Sequence, residues 1–260
     1  MREAPALVAL RGIDKVYSNG VVALKGLNLE IREGEFVSLL GPSGCGKSTV
    51  LRLISGLGDL SEGAIEWSDH HASSGRRDIG FVFQDATLMP WATVFGNVFL
   101  PLKLTGVDKA AAAPRIMETL SRVGLADFAD AYPRELSGGM RMRVSLARAL
   151  VTAPRVLLMD EPFAALDEIT RFKLNDDLVA LWRELHMTVV FVTHSVFESV
   201  YLSSRIVVMT GRPGQVSGEL AIDAPTRDAQ FRTSAEYAGT CRVASEALHR
   251  AMHAHAGAAA

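Results

Sequence analysis

Apolar residues fall along this chain in two kinds of run, and the alternation between them sets the expected fold. Short strand-like pieces come first, at Leu7-Val8-Ala9-Leu10, Val21-Val22-Ala23-Leu24 and Leu27-Asn28-Leu29-Glu30-Ile31, with Asn19-Gly20 as a tight hairpin turn. A short apolar run suited to a buried strand follows at Glu35-Phe36-Val37-Ser38-Leu39-Leu40, and continuous apolar runs at Val156 to Met159, Val189 to Val192 and Ile206 to Met209. Such runs suit a parallel sheet covered on both faces. From about Thr87 to Arg134 the strand signals fade and helical ones take over. Asp108 is placed to cap a helix through Ala110 to Ala113 and Arg115 to Val123, with Gly124 as its stop. Pro114 inside that run predicts a kink or a late start. A further helix is expected from Arg141 to Val151, with Met140, Val144, Ala147 and Val151 on its buried face. The segment Met252 to Ala260 is rich in alanine and histidine and is expected to fray. For His253 and His255 a solvated tail is favoured over a metal site.

Composition narrows the class. The chain has 260 residues, ample for a substantial buried core, and a net charge of −2, which gives no sign of a nucleic-acid surface. Its two cysteines, Cys45 and Cys241, stand far apart and read as reduced thiols of an intracellular protein. The longest apolar runs are far short of a membrane span and no secretory signal opens the chain, so the expectation is a soluble protein inside the cell.

Candidate chemistry begins with Gly41-Pro42-Ser43-Gly44-Cys45-Gly46-Lys47-Ser48, which fits G-x-x-x-x-G-K-[ST] between an apolar strand and the helical stretch Thr49 to Ile54. Glycines let successive N–H groups turn inward on a phosphate, and the helix N-terminus adds partial positive charge. In that pattern Lys47 reaches the β- and γ-phosphates and the Ser48 hydroxyl ligates Mg²⁺. Next, Val156-Leu157-Leu158-Met159-Asp160-Glu161 is an apolar strand ending in adjacent acids. Side chains alternate along a strand, so one carboxylate can hold Mg²⁺ while the next polarises an attacking water. Finally, Ser137 is a natural N-cap, and Gly138-Gly139 behind it expose backbone N–H groups and leave room for a phosphate.

These stretches, in this order and spacing, resemble the ATP-binding cassette ATPases over nearly the whole chain. The resemblance implies an α/β fold of the P-loop NTPase type. It has a mainly parallel core sheet, an N-terminal antiparallel β part and an inserted helical subdomain at about 87–150. The whole of 1–260 would be one cassette domain, with a C-terminal tail from about 212 to 260. By resemblance Tyr17 stacks on adenine, and Gly41, Pro42, Ser43, Gly44, Cys45, Gly46, Lys47, Ser48 and Thr49 hold the phosphates of ATP. Gln84 senses Mg²⁺ and the attacking water, Ser48 and Asp160 share the metal, and Glu161 is the general base or water-orienter. His194 contacts the γ-phosphate. Leu136-Ser137-Gly138-Gly139-Met140 is the signature, completing the site of a second copy, and Asp167 lies in the dimer-contacting loop Ala165-Leu166-Asp167.

Within the family, Met89-Pro90-Trp91 after Gln84 and Gly211-Arg212-Pro213-Gly214 are similar to the nitrate, sulfonate and taurine importer group. Met140 replaces the glutamine of the general signature, and Met142 stands where the group usually has glutamine, removing one polar contact. The partners implied are a second copy of the chain, membrane permease subunits and, indirectly, an extracytoplasmic solute-binding protein. The place implied is the inner face of the cell membrane, as a peripheral subunit. Export or cell-division cassettes, and soluble cassettes without a transport role, are the alternatives. Trp91 reads either as an anchor for the membrane subunit or as core packing.

Overall fold

The computed structural model describes residues 5–68 and 78–253. The chain divides into two compact units, one formed by Met1–Arg76 with His186–Ala260, the other by Arg77–Leu185.

In the first unit, β1 (Ala6–Val16) pairs antiparallel with β2 (Val22–Arg32), the two being joined by the Asn19-Gly20 turn. After β3 (Phe36–Leu40) and α1 (Lys47–Ile54), β4 (Glu62–Trp67) covers the other edge of β1, in register Leu10 to Ile65. The apolar pieces at Val21 to Leu24 and Leu27 to Ile31 are thus one strand. The Lys25-Gly26 break between them is a bulge, with Gly26 at φ 58° and its N–H donated to Asp14 Oδ1 at 2.6 Å. Lys25 pairs with the same carboxylate. The Lys25 hydrogen bond, then that of the Gly26 N–H, holds the Asp14 carboxyl below its ordinary range.

β3 lies between β7 (Thr188–Thr193) and β8 (Arg205–Met209), parallel to both, and β9 (Val216–Ala221) closes the edge antiparallel to β8. Phe36, Val37, Leu39, Leu40 and Val189 to Val192 are fully buried, as unbroken apolar runs require. At the strand starts, Arg205 is 8% exposed. Its Nε and Nη2 grip Glu35 at 3.0 and 2.6 Å, Nη1 donates to Glu219 at 2.8 Å, and Nη2 also reaches the Glu30 carbonyl. Behind the sheet, α6 (Val196–Leu202), α7 (Ala229–Arg232) and α8 (Ala235–His253) meet through Tyr201, Phe231 and Tyr237. The Tyr237 hydroxyl donates to the Phe197 carbonyl at 2.9 Å. Met252 and His253 belong to the last turn of α8, whereas His255 lies outside the described residues.

In the second unit, β5 (Ile79–Val82) runs parallel to β6 (Val156–Asp160), with α2 (Val94–Leu104), α3 (Lys109–Arg122), α4 (Gly138–Leu150) and α5 (Glu168–Leu185) completing it. Asp108 caps α3 as expected, accepting from Ala110 N at 2.8 Å, and Gly124 follows its end at φ 69°. The late start predicted from Pro114 does not occur, since α3 begins at Lys109. Ala110, whose carbonyl loses its partner to the proline, is exposed, so water can satisfy it. On α4 the buried face includes Met142, while Met140 is only half-buried. A methionine where a glutamine was expected therefore fills core rather than merely deleting a polar contact. Trp91 is 77% exposed, which removes the core-packing reading. Among the described residues no helix is long and apolar enough to cross a membrane, and both cysteines are buried and outside any disulfide.

Replacing Arg205 by Ala would leave the Glu35 carboxylate buried without its cation. A loss on the order of 3 kcal/mol is expected, measured by denaturant unfolding.

Candidate functional site

The loop after β3 carries the first part of the site. Gly46 stands at φ 103°, where a Cβ would lie 2.7 Å from Leu24 Cδ2 and 2.9 Å from the Ala23 carbonyl. Only glycine satisfies both the left-handed backbone and the close approach of β2. Gly46 is the N-cap of α1 and, having no side chain, makes no side-chain cap hydrogen bond to the amides that open the helix. Lys47 is 4% exposed, and its ammonium donates to the carbonyls of Gly41 and Pro42 at 2.7 and 2.9 Å. Cys45 Sγ stands 3.9 Å from it. A buried ammonium held by neutral carbonyls, beside a helix N-terminus, is an electrostatic match for a polyphosphate.

Tyr17 and His194 come to the same unit. Tyr17 Oη lies 3.0 Å from Thr49 Oγ1 on α1, its backbone is held by the hairpin turn, and the ring is part-exposed with Lys15 Nζ 5.2 Å from its centre. β7 pairs with β3 through Thr193 and Leu40, so His194 and Gly41 leave the sheet at the same edge. The turn bearing the exposed His194 is tied by Thr193, whose hydroxyl donates to Glu198 at 2.6 Å and accepts from Ser195 N at 3.0 Å. Sequence reasoning did not single out Glu198, a buried acid in a short helix.

It also missed the brace behind the loop. Gly211 to Gly214 served only as a group marker, yet Arg212 Nε donates to the Gly44 carbonyl at 3.1 Å. Gly214 bridges to β2 about Leu24, giving its N–H to Ala23 O and accepting from Lys25 N. A Cβ on Gly214 would lie 2.0 Å from the Cys45 carbonyl. The turn and β2 together form the outer wall of the phosphate loop.

In the second unit, Val82 pairs with Met159, so Gln84 and Glu161 follow at the same edge of the β5–β6 pair. The strand itself ends at Asp160, and Glu161 turns off it at φ 46°. The two acids are separated by this left-handed step rather than by strand alternation. A non-glycine residue there carries strain of about 1 kcal/mol, a mark common at functional turns. Ser137 caps α4 as expected, accepting from Met140 N at 3.3 Å, and Gly138 is exposed. Gly139 is buried, because a Cβ there would stand 2.6 Å from Thr170 Cγ2. Its small size thus serves contact with α5. Asp167 accepts from Thr170 N at 2.9 Å, and that bond leads in holding its carboxyl below the ordinary range.

A phosphate loop between a parallel strand and a helix, with an acid pair ending a second parallel strand, defines a nucleoside triphosphatase. The ABC transporter family model matches residues 24–164, and the chain belongs to that family. It is an ATP-binding, ATP-hydrolysing cassette subunit. The nitrate import ATP-binding protein NrtD of Synechocystis is 45% identical, over 79% of this chain and 77% of that protein. The taurine import ATP-binding protein TauB of Rhizobium johnstonii is 45% identical over 82% of each chain. Among solved structures, the dimeric post-hydrolysis state of the cassette MJ0796 with ADP and Pi superposes with a TM-score of 0.72. It is 38% identical, covering 84% of this chain and 99% of that one.

Gly214→Ala forces the brace against Cys45. Nucleotide affinity should fall at least about tenfold, the loop being displaced from its productive shape, as read by fluorescent-nucleotide titration.

Proposed function

We propose that this chain is the ATP-hydrolysing subunit of an importer for a small solute, an anion such as nitrate, a sulfonate or taurine. Similarity to two import ATP-binding proteins, running along most of each chain, carries this reading. No observation favours the export, cell-division or non-transport alternatives. The whole chain then works as one cassette, peripheral on the inner face of the cell membrane, and selectivity resides in the permease and an extracytoplasmic solute-binding protein.

In this reading Lys47 and the backbone N–H groups of the loop from Gly41 to Thr49 bind the phosphates of ATP, with Pro42, which has no N–H, only lining the loop, and Tyr17 stacks on the adenine. Ser48, Gln84 and Asp160 offer hydroxyl, amide and carboxylate oxygens, the hard donor set that suits Mg²⁺. That ion, when bound, neutralises charge developing on the transferring phosphoryl group. Glu161 takes or orients the proton of the attacking water, and Gln84 and His194 hold the water and the γ-phosphate in line. Ser137, Gly138 and Gly139 meet the nucleotide of a second copy, with Asp167 in the contact. Two ATP molecules thus sit between two chains in equivalent sites. The dimeric cassette structure with bound ADP and Pi supports this arrangement.

Glu161→Gln should retain ATP binding and lower turnover about a hundredfold or more, because only the proton acceptor is lost. It should also hold an ATP-bound dimer in size-exclusion chromatography. Near-normal turnover would overturn the role given to Glu161.

Exposed Trp91 supports the permease contact. Buried Asn97 ties its flanks, accepting from Met89 N at 2.7 Å and donating to the carbonyls of Met89, Ala92 and Thr93. Trp91→Ala should weaken assembly with the membrane subunit by about 2 kcal/mol, as aromatic anchors do. The thermal midpoint of the isolated chain should stay unchanged. Co-purification from detergent, beside a melting curve, reads both.

A further inference from the structure

Arg148 lies in the last turn of α4 and spends its guanidinium on the chain that follows Gln84. Nη1 donates to the Thr87 carbonyl at 2.8 Å. Nη2 donates to the Ala86 carbonyl at 2.9 Å, to Thr87 Oγ1 at 3.0 Å and to Ser145 Oγ at 3.4 Å. Burial pulls this guanidinium down from its ordinary range, and among the described residues it makes no ion pair with an acid. A desolvated cation without a carboxylate is a costly way to fill space, and an apolar side chain of similar volume would serve packing better. What arginine adds is a planar fork able to hold two successive carbonyls at once.

The held backbone is itself strained. Thr87 stands at φ 45°, a left-handed conformation that a β-branched residue seldom adopts. Such a residue keeps that conformation only where its surroundings impose it. Ahead of Gln84, β5 is also pressed on the end of α4, since a Cβ on Gly80 would lie 2.9 Å from the Ala149 carbonyl. Gln84 therefore sits between two holds made by the same helix. The other end of that helix is the cap formed by Ser137.

We propose that Arg148 is a positioning residue for hydrolysis: by gripping the Ala86 and Thr87 carbonyls it sets where Gln84 stands, and it ties the Gln84 segment to the signature helix. The proposal rests on the role assigned above to Gln84. Its test is a cycle on the purified full-length chain with Arg148→Ala, Gln84→Ala and the double variant. Steady-state turnover would be followed alongside ATP affinity without Mg²⁺ and the thermal midpoint. Arg148→Ala should lower kcat about tenfold or more, the loss typical of a displaced catalytic group, with nucleotide affinity within about twofold of the parent. In the Gln84→Ala background the same change should cost nothing further, because both act through one group. Full additivity, or wild-type kcat in Arg148→Ala while Gln84→Ala is impaired, would overturn the strut and leave the Gln84 role standing. Wild-type kcat in Gln84→Ala would remove that role and the proposal with it. Should Arg148→Ala fail to fold, Arg148→Lys decides. A lowered kcat that disappears as a separate effect in the Gln84→Ala background supports the proposal, and wild-type kcat overturns it.

Discussion

A buried ammonium held by two main-chain carbonyls, with the Cys45 sulfur beside it, is the constraint around which the first unit is built. Lys47 can sit inside its loop only if Gly41 and Pro42 turn their carbonyls inward, and the loop can curl that way only if Gly46 takes a left-handed backbone. Each requirement recruits a distant part of the chain. β2 presses on Gly46, the turn at Arg212 to Gly214 backs Gly44 and Cys45, and the buried strand β3 delivers the loop at the sheet edge. An anion is the natural complement of this arrangement, since it would neutralise the cation and meet the N-terminus of α1.

The second unit solves a different problem, that of ending strands abruptly at one edge. β6 stops at Asp160 and the chain reverses through Glu161 at φ 46°, while the path after β5 bends through Thr87 at φ 45°. Neither residue is a glycine, so the bends are paid for by contacts elsewhere. At Thr87 that contact is the Arg148 fork. Strain placed beside candidate catalytic groups keeps their geometry single-valued, which water-directed chemistry needs.

Much of the fold could be read from the chain because its central strands are buried on both faces. Unbroken runs such as Val189 to Val192 have no other comfortable place. β2 was harder, since the Lys25-Gly26 bulge interrupts the alternation and mimics two strands. Capping residues behaved locally, and Asp108 and Ser137 do what their neighbours imply. The loop, the acid pair and the signature were legible because contiguous residues build them. The brace was not, because Gly214 means something only beside Cys45 and Ala23, which are remote in sequence. Arg148 and Asn97 were hidden for a related reason. A lone polar letter in a helix reads as a solvent-facing position, and only tertiary packing turns it inward.

The ring cluster beneath α8 bears on how the chain can be shortened. Tyr237 reaches back to the Phe197 carbonyl and packs edge-on against Phe231 and Tyr201, while the Arg232 guanidinium lies 3.9 Å from the centre of the Tyr201 ring. None of these residues belongs to a nucleotide motif, so a minimal fragment drawn around the motifs would end before them. Cutting ahead of Ala235 would expose the faces of Tyr201 and Phe231 to water, and with them the helix that follows the His194 turn. A truncated cassette would thus present a sticky aromatic patch, prone to self-association, where α8 now keeps Tyr201 and Phe231 buried.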